Sequence, residues 1–212
     1  MKRALVALTM SALALAPRAA VAQLAGMPNW NNPKGGTGIR IDAEYGGPNT
    51  NAGGGSAYGA RGTVGLGAFS VGLGIDSWTP SGGSAASSWG ATGAFRILGG
   101  SLMPVSLNVQ AGYGKTSDLN LQTYTLAAGL GVNIPIPGVT LEPWASAGER
   151  WHDVSLSTGS QTHGNFGWVL GADVGFGMFG IHAAYDSESL QGGGTGGVLG
   201  IGAHVVLDVP GL

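Results

Sequence analysis

The stretch from Ser56 to Trp78 alternates apolar residues with small or polar ones at a strict period of two. Apolar residues occupy even positions up to Ala68, and they occupy odd positions from Phe69 to Ile75. Strict alternation places one set of side chains on each face of a β-strand. The change of parity next to Gly67 predicts two strands joined by a tight turn. The stretch is therefore predicted to be a hairpin with an apolar face for lipid and a polar face for an interior.

The composition favours a β-protein over a helical one. Of 212 residues 42 are glycine, and glycine is costly inside helices. Mean hydropathy is +0.21, yet apolar residues are spread at every second position, and beyond the first residues no apolar run could span a bilayer as a helix. The chain has no cysteine, which excludes disulfides and thiolate metal sites. This length accommodates one all-β domain.

The same alternation recurs along the chain and predicts ten strands, with eight as the alternative. The connections between them alternate strictly between short turns and long polar loops. Short turns at one rim and long loops at the other are typical of bacterial outer-membrane barrels. We therefore predict an all-β fold, a transmembrane antiparallel up-and-down β-barrel. The predicted strands are 38–45, the two strands of 56–78, 89–98, 105–114, 124–134, 139–151, 166–176, 179–186 and 199–207. The predicted long loops are 46–55, 77–88, 115–123, 152–163 and 187–197.

The seventh predicted strand, 139–151, is the least regular. Pro143 cannot donate a hydrogen bond to a neighbouring strand, and Trp144 falls on the nominally polar face. We therefore expect a β-bulge or local disorder in this strand.

Tyrosine and tryptophan residues are concentrated at strand ends beside the long loops. Their rings are apolar and carry one polar group, so they favour the boundary between lipid and water. We predict that they form a girdle at the membrane interface: Tyr45, Tyr58, Trp78, Trp89, Tyr113, Tyr124, Trp151, Trp168 and Tyr185.

Most charged residues and histidines fall on the polar face of the predicted strands, and the two of opposite parity, Lys115 and Glu149, lie at the long-loop mouth. Basic residues facing lipid at the bilayer midplane cost about 2–4 kcal/mol, so these side chains are expected to face the lumen. We predict a charge-paired network lining the lumen: Arg40, Asp42, Glu44, Arg61, Asp76, Arg96, Glu142, Arg150, Asp173, His182, Asp186 and His204.

This network leaves two functions open. Ion pairs could close the lumen, which would make the barrel a structural or surface-interaction protein that acts through its long extracellular loops. Alternatively, inward glycines could leave a narrow porin-like channel for small ions or solutes, with a weak cation preference from the excess of acidic groups.

The first 22 residues have the pattern of a cleavable signal peptide. Lys2 and Arg3 provide a basic start, an apolar stretch follows from Ala4 to Ala16, and Ala20-Val21-Ala22 is a cleavage site. Residues 23–37 show no period and are predicted to be an irregular lead-in, in the periplasm or in the barrel mouth. Residues 38–212 are predicted to form the barrel. Without the signal peptide the chain is acidic, which argues against nucleic acid as a partner.

Motifs for cofactors and catalysis are weak. The glycines of 175–180 match a dinucleotide fingerprint, but they lie on a predicted hairpin turn without a following helix. Gly114-Lys115-Thr116 resembles the end of a phosphate-binding loop but lacks the first glycine of that motif. Possible calcium ligands lack a loop motif: Asp118, Asn120, Asp186 and Glu188. We therefore expect no cofactor and no metal.

Two polar groups could in principle carry a hydrolase site at the loop rim. One comprises His152, Asp153 and Ser155, and the other His182, Asp186, Ser187 and Glu188. Catalysis needs a nucleophile, a base and an orienting group within hydrogen-bond reach, and the spacing does not require that contact. We predict a protein that is not an enzyme, with a rim-located hydrolase acting on lipid or peptide as the less favoured alternative.

In these features, the chain from about Gly38 to Leu207 resembles small bacterial outer-membrane β-barrel proteins, the group that includes OmpA-like transmembrane domains. The resemblance is architectural and matches no family-specific motif. It departs from the group at the C-terminus, where Asp208 to Leu212 follow Leu207 in place of a terminal aromatic residue. The resemblance implies export to the outer membrane, outer-membrane lipid and the outer-membrane assembly machinery as partners, and a monomer. A soluble exported β-sandwich is the alternative fold.

Overall fold

The computed structural model describes residues 23–100, 103–156 and 159–208 and shows one closed antiparallel barrel. Each strand pairs with its neighbours in chain order, and β1 pairs with both β2 and β11. Because β7 continues the line of β6, the barrel has ten strands, which confirms the predicted number. Within the described residues, no helix has the length and apolar character needed to cross a membrane. The strands are β1 (Gly36–Pro48), β2 (Ser56–Gly67), β3 (Phe69–Thr79), β4 (Ala86–Gly100), β5 (Met103–Thr116), β6 (Leu121–Val132), β7 (Ile134–Ile136), β8 (Val139–Leu156), β9 (Gly159–Phe176), β10 (Phe179–Ser189) and β11 (Thr195–Leu207).

The alternation in sequence becomes an apolar outside and a more polar inside. In β3, Val71 is 55% exposed and Leu73 63% exposed on the outer face, while Asp76 on the other face is buried. Every long strand contributes large apolar side chains to this outer surface. In a water-soluble domain these side chains would be buried, so this surface suits a lipid environment.

The prediction of a bulge in the seventh predicted strand, 139–151, was wrong. β8 keeps one register with β9 from the pair Thr140–Gly175 to the pair Leu156–Gly159. Pro143 lies where the ladder to the other neighbour is interrupted, between the end of β6 and the start of β7. Its missing N–H therefore costs one contact in that ladder without bending β8. The register shifts lie in β4, between Arg96 and Gly100.

The prediction of a long loop at 152–163 was also wrong. β8 and β9 stay paired beyond Trp151, through His152–His163 to the pair formed by Leu156 and Gly159. The segment is therefore a two-stranded hairpin that extends the barrel wall at the rim of the long loops. The Gly, Ser and Thr residues that indicated a loop are compatible with an extended hairpin outside lipid.

Residues 23–35, called here the lumen segment, lie inside the barrel along its axis. Gln23 reaches Ala91 and Tyr113 near the long-loop rim, and Lys34 reaches Glu142 near the short-turn rim. Apolar residues of this segment supply much of the buried core: Leu24, Ala25, Met27 and Trp30. The predicted signal peptide, residues 1–22, lies outside the described residues.

Candidate functional site in the lumen

Inward glycines of the wall make room for the lumen segment. A Cβ atom at Gly112 would lie 2.6 Å from Nε2 of Gln23. One at Gly74 would lie 2.9 Å from Cδ1 of Leu24. Real side chains do not tolerate such contacts, so the segment occupies the space that these glycines leave open. Further wall glycines in similar contact with the segment are Gly46, Gly59, Gly90, Gly114, Gly129 and Gly200.

Hydrogen bonds fix the lumen segment at both ends and in the middle. Because it has no regular secondary structure, its polar groups must find partners in the wall. The main bonds run from Gln23 Nε2 to Tyr113 O (3.0 Å), Ala25 N to Ser88 Oγ (3.3 Å), Asn29 N to Asp186 Oδ2 (2.7 Å), Asn32 Nδ2 to Glu142 Oε2 (2.8 Å) and Arg96 Nη1 to Lys34 O (3.0 Å).

A first charged cluster, called the rim cluster, lies inside the barrel near the long loops and consists of Arg150, His152, Asp186 and Glu188. Nη1 of Arg150 lies 2.8 Å from Asp186 and 3.1 Å from Glu188. Glu188 is also 2.6 Å from Nε2 of His152. Arg150 and Glu188 are each only 1% exposed, and the Arg150 guanidinium stands 4.4 Å above the ring of Trp30. The lumen segment thus covers the rim cluster.

The contact between His152 and Glu188 was not predicted. In sequence they belong to separate polar groups, on β8 and β10. The two strands are not neighbours, because β9 lies between them. Their side chains meet because both point into the lumen from either side of β9 and lie at the same height along the barrel. That height is set by the stagger of the strands in the closed barrel.

A second charged cluster, called the histidine cluster, lies further down the lumen and consists of Arg40, Asp42, Asp173, His182 and His204. Arg40 bridges the two carboxylates, with Nε 2.7 Å from Asp42 and Nη1 2.7 Å from Asp173. Nδ1 of His182 lies 3.3 Å from Nδ1 of His204. The cluster brings together side chains from β1, β9, β10 and β11.

The remaining predicted lumen residues also lie on the inner side of the wall. Arg61 pairs with Glu44 at 3.3 Å and donates to Asn31 of the lumen segment. Asp76 is buried. Glu142 pairs with Lys34, and Arg96 donates to the Lys34 carbonyl oxygen. No pattern in the sequence indicated a role for Lys34 or Asn31, because the lumen segment has no period.

Free space in the lumen lies mainly toward the short-turn rim. A cavity of about 460 Å³ there is bounded by Arg40, Asp42, Asp173 and His204, together with Lys34 of the lumen segment. Higher up, beside Trp30 and Trp144, the free volume is only about 20 Å³. The lumen segment therefore separates the cavity from the long-loop rim.

Eight of the nine predicted interface aromatics point outward or sit half-buried at the wall near the long loops. Four ring pairs connect neighbouring strands around the barrel, at 5.2 Å for Tyr45–Tyr58 and 5.8 Å for Trp168–Tyr185. Trp78 is the exception, since it is 2% exposed and its Nε1 donates to the Gly54 carbonyl oxygen. It shares the even parity of inward-facing Asp76, so its assignment to the girdle is corrected.

Comparisons with known proteins find only distant similarity. No protein-family model matches the chain, and no curated protein matches it by sequence. Among solved structures, the β domain of the Bordetella autotransporter BrkA is similar at 13% identity over 80% of this chain and 98% of that one, with a TM-score of 0.49. The outer membrane enzyme PagL is similar at 11% identity over 79% and 99%, with a TM-score of 0.44. Neisserial surface protein A is similar at 13% identity over 81% and 98%, with a TM-score of 0.40. At this level of similarity the function of this chain is inferred from its own residues.

Proposed function

We propose that the chain is an integral outer-membrane barrel whose lumen is closed by its own lumen segment and by buried ion pairs. Its role is structural or one of surface interaction through the loops at one rim. The observation that carries this proposal is the course of residues 23–35 through the barrel, from Gln23 at the long-loop rim to Lys34 at the other. A pore would need a continuous polar path through the lumen, and the lumen segment occupies the space where such a path would run.

The outer surface supports a location in lipid. Exposed apolar side chains surround the barrel, and the ring of aromatic residues borders them near the long loops. A closed barrel also pairs its own backbone groups, as hydrocarbon requires. Because every strand presents apolar side chains, we propose that outer-membrane lipid surrounds a monomer. We further propose insertion by the outer-membrane assembly machinery.

The hairpin formed by the ends of β8 and β9 supports an interaction role. It continues beyond Trp151, and its exposed described residues include the uncharged polar side chains of Ser155, Ser160 and Gln161. Such a surface offers hydrogen bonds to a polar partner with little electrostatic selection.

An enzymatic role has weaker support. Thr123, His152 and Glu188 form a hydrogen-bonded line, with 3.1 Å from Thr123 Oγ1 to His152 Nδ1 and 2.6 Å from His152 Nε2 to Glu188. Thr123, the only hydroxyl in this line, is 2% exposed and cannot meet a substrate in this arrangement. We propose that this line stabilises the wall.

The test is single-channel conductance of refolded protein in planar bilayers, with a heat-modifiability gel to monitor folding. A chain beginning at Gln23 is compared with one beginning at Gly36, which lacks the lumen segment. We expect both to give a compact band that shifts on heating, and only the shorter chain to conduct in discrete steps. Steady conductance by the longer chain would contradict closure and favour the narrow-channel function.

A point substitution extends this test should the shorter chain not fold. Gly114→Val would place its side chain on the backbone of Gln23 and displace the upper end of the lumen segment. Gly93→Val is the matched control, because Gly93 faces outward on β4 with no atom within 4 Å of an added Cβ. We expect conductance from the first variant alone, and closure of both would show that other groups seal the lumen.

A further inference from the structure

We propose that Asp42, His182 and His204 form a binding site for a divalent transition metal ion, with zinc as its representative. The site lies on the lumen wall within the histidine cluster and is independent of whether the barrel conducts. The nearest donor atoms of the three side chains all lie within 4.8 Å of one another. Imidazole nitrogens with a carboxylate oxygen suit zinc, nickel or copper better than magnesium or calcium.

The strand register assembles these ligands from three adjacent strands. On β1 and β11, Asp42 stands directly opposite His204. On β10 and β11, His182 stands opposite Gly202, and Gly180 stands opposite His204. Each imidazole therefore faces a glycine on the neighbouring strand.

The two glycines give the imidazole rings the space to converge. A Cβ atom at Gly202 would lie 2.5 Å from Nε2 of His182, and one at Gly180 would collide with Nε2 of His204. With glycine in both places, the rings lie over the neighbouring backbone, and their Nδ1 atoms approach each other. A wall with larger residues there would push the rings into the lumen.

The separation of the two nitrogens fits a shared metal ion. Two ligands of a tetrahedral zinc ion, each about 2.0–2.1 Å from the metal, lie about 3.3 Å apart. The Nδ1 atoms of His182 and His204 are 3.3 Å apart. Oδ1 of Asp42 lies 3.8 Å from Nδ1 of His182, so a small movement of the carboxylate would make it the third ligand of the ion.

Glu44 places a carboxylate close to the second ring nitrogen of His182. Histidines that bind metals usually donate their second ring N–H to a carboxylate, which fixes the tautomer. Nε2 of His182 lies 3.5 Å from Oε1 of Glu44, on the far side of the ring from Nδ1. A proton held at Nε2 leaves the Nδ1 lone pair directed at the proposed ion.

Arg40 occupies the cluster in the present arrangement and would have to move. Its guanidinium contacts Asp42, Asp173 and Nδ1 of His182. Its side chain is 28% exposed and borders the cavity of about 460 Å³, which provides room for that movement and a path for the ion. The guanidinium thus competes with the metal for Asp42 and for Nδ1 of His182.

The test is titration of refolded protein in detergent micelles with zinc ion alone, in competition with a chromophoric chelator. We expect one zinc per chain, and more than about 100-fold weaker binding in His182→Ala and in His204→Ala, since outer contacts alone contribute about 10- to 100-fold. His163→Ala is the matched control, because His163 lies on the β8–β9 hairpin, away from the proposed site. The zinc affinity of this variant should equal that of the unchanged protein. No saturable binding by the unchanged protein, or equal affinity in all variants, would overturn the proposal.

Two further measurements separate a metal site from a structural role of the same residues. Arg40→Gln should bind zinc more tightly, because a competing cation is removed, and an unchanged or weaker affinity would contradict the proposed site. Cobalt added to the unchanged protein should give the intense visible absorption of a tetrahedral ion. The weak absorption of six-coordinate cobalt would contradict the site even if the alanine variants failed to fold.

Discussion

Arg150 shows, at the scale of the residue, how the closed lumen depends on single charged groups. Its guanidinium is buried beneath Trp30 between Asp186 and Glu188. Removing it leaves two carboxylates in the wall without their cation. Loss of one partner from a buried pair costs about 3–5 kcal/mol, because the remaining charge is uncompensated. We therefore expect Arg150→Leu to lower the free energy of unfolding in vesicles by an amount of this order, measured by urea titration.

Lys115 offers the control for that substitution. It is an exposed cation near the same rim, at the end of β5, and faces the outside of the barrel. Exposed substitutions of this kind usually change stability by less than about 0.5 kcal/mol. Equal destabilisation by Lys115→Leu and Arg150→Leu would mean that the buried ion pairs contribute nothing specific.

At the scale of the element, the two faces of β3 should differ in their tolerance of charge. Val71 is 55% exposed on the outer face, whereas Ser70 lines the cavity at the short-turn rim. An arginine facing lipid costs up to about 2–4 kcal/mol, depending on its depth in the bilayer, and one in a hydrated cavity costs far less. We expect Val71→Arg to reduce the folded fraction on a heat-modifiability gel much more than Ser70→Arg. Equal tolerance of both would refute the face assignment.

β8 remains a regular strand despite the irregular residues in its sequence. Proline and tryptophan at 143 and 144 look like interruptions in the sequence, yet β8 is the longest strand together with β9. Trp144 points inward and its Nε1 donates to Asp173 at 2.9 Å. Its large ring fits because Gly171 stands opposite it on β9. An inward aromatic in an otherwise small-residue interior therefore marks a packing site and not a break in the strand.

For the whole molecule, the alternation of long loops and short turns predicts the orientation in the membrane. In outer-membrane barrels the short turns face the periplasm and the long loops face the outside. An epitope tag inserted at Gly193, in the exposed connection of β10 and β11, should bind antibody on intact cells. A tag at Gly138, in the turn between β7 and β8, should bind only after the outer membrane is permeabilised. The reverse pattern would contradict the proposed orientation.

The sequence by itself determined the strands and their faces. A period of two is a property of the extended backbone, so the residues between Ser56 and Trp78 specify which side chains face outward without knowledge of any partner. The same reasoning predicted the barrel and its ten strands. It also indicated that Arg40, Asp173 and most other charged residues of the strands share one face, although it could not pair them.

Only the tertiary structure decided what fills the interior. The lumen segment has no period, and its partners are glycines and carbonyl groups far away in the chain, such as Gly112 and the carbonyl of Tyr113. The meeting of His152 with Glu188, and of His182 with His204, depends on the stagger of strands around a closed sheet. Alternation fixes the face of each residue but not its height along the barrel, and it is the height that decides which inward side chains touch.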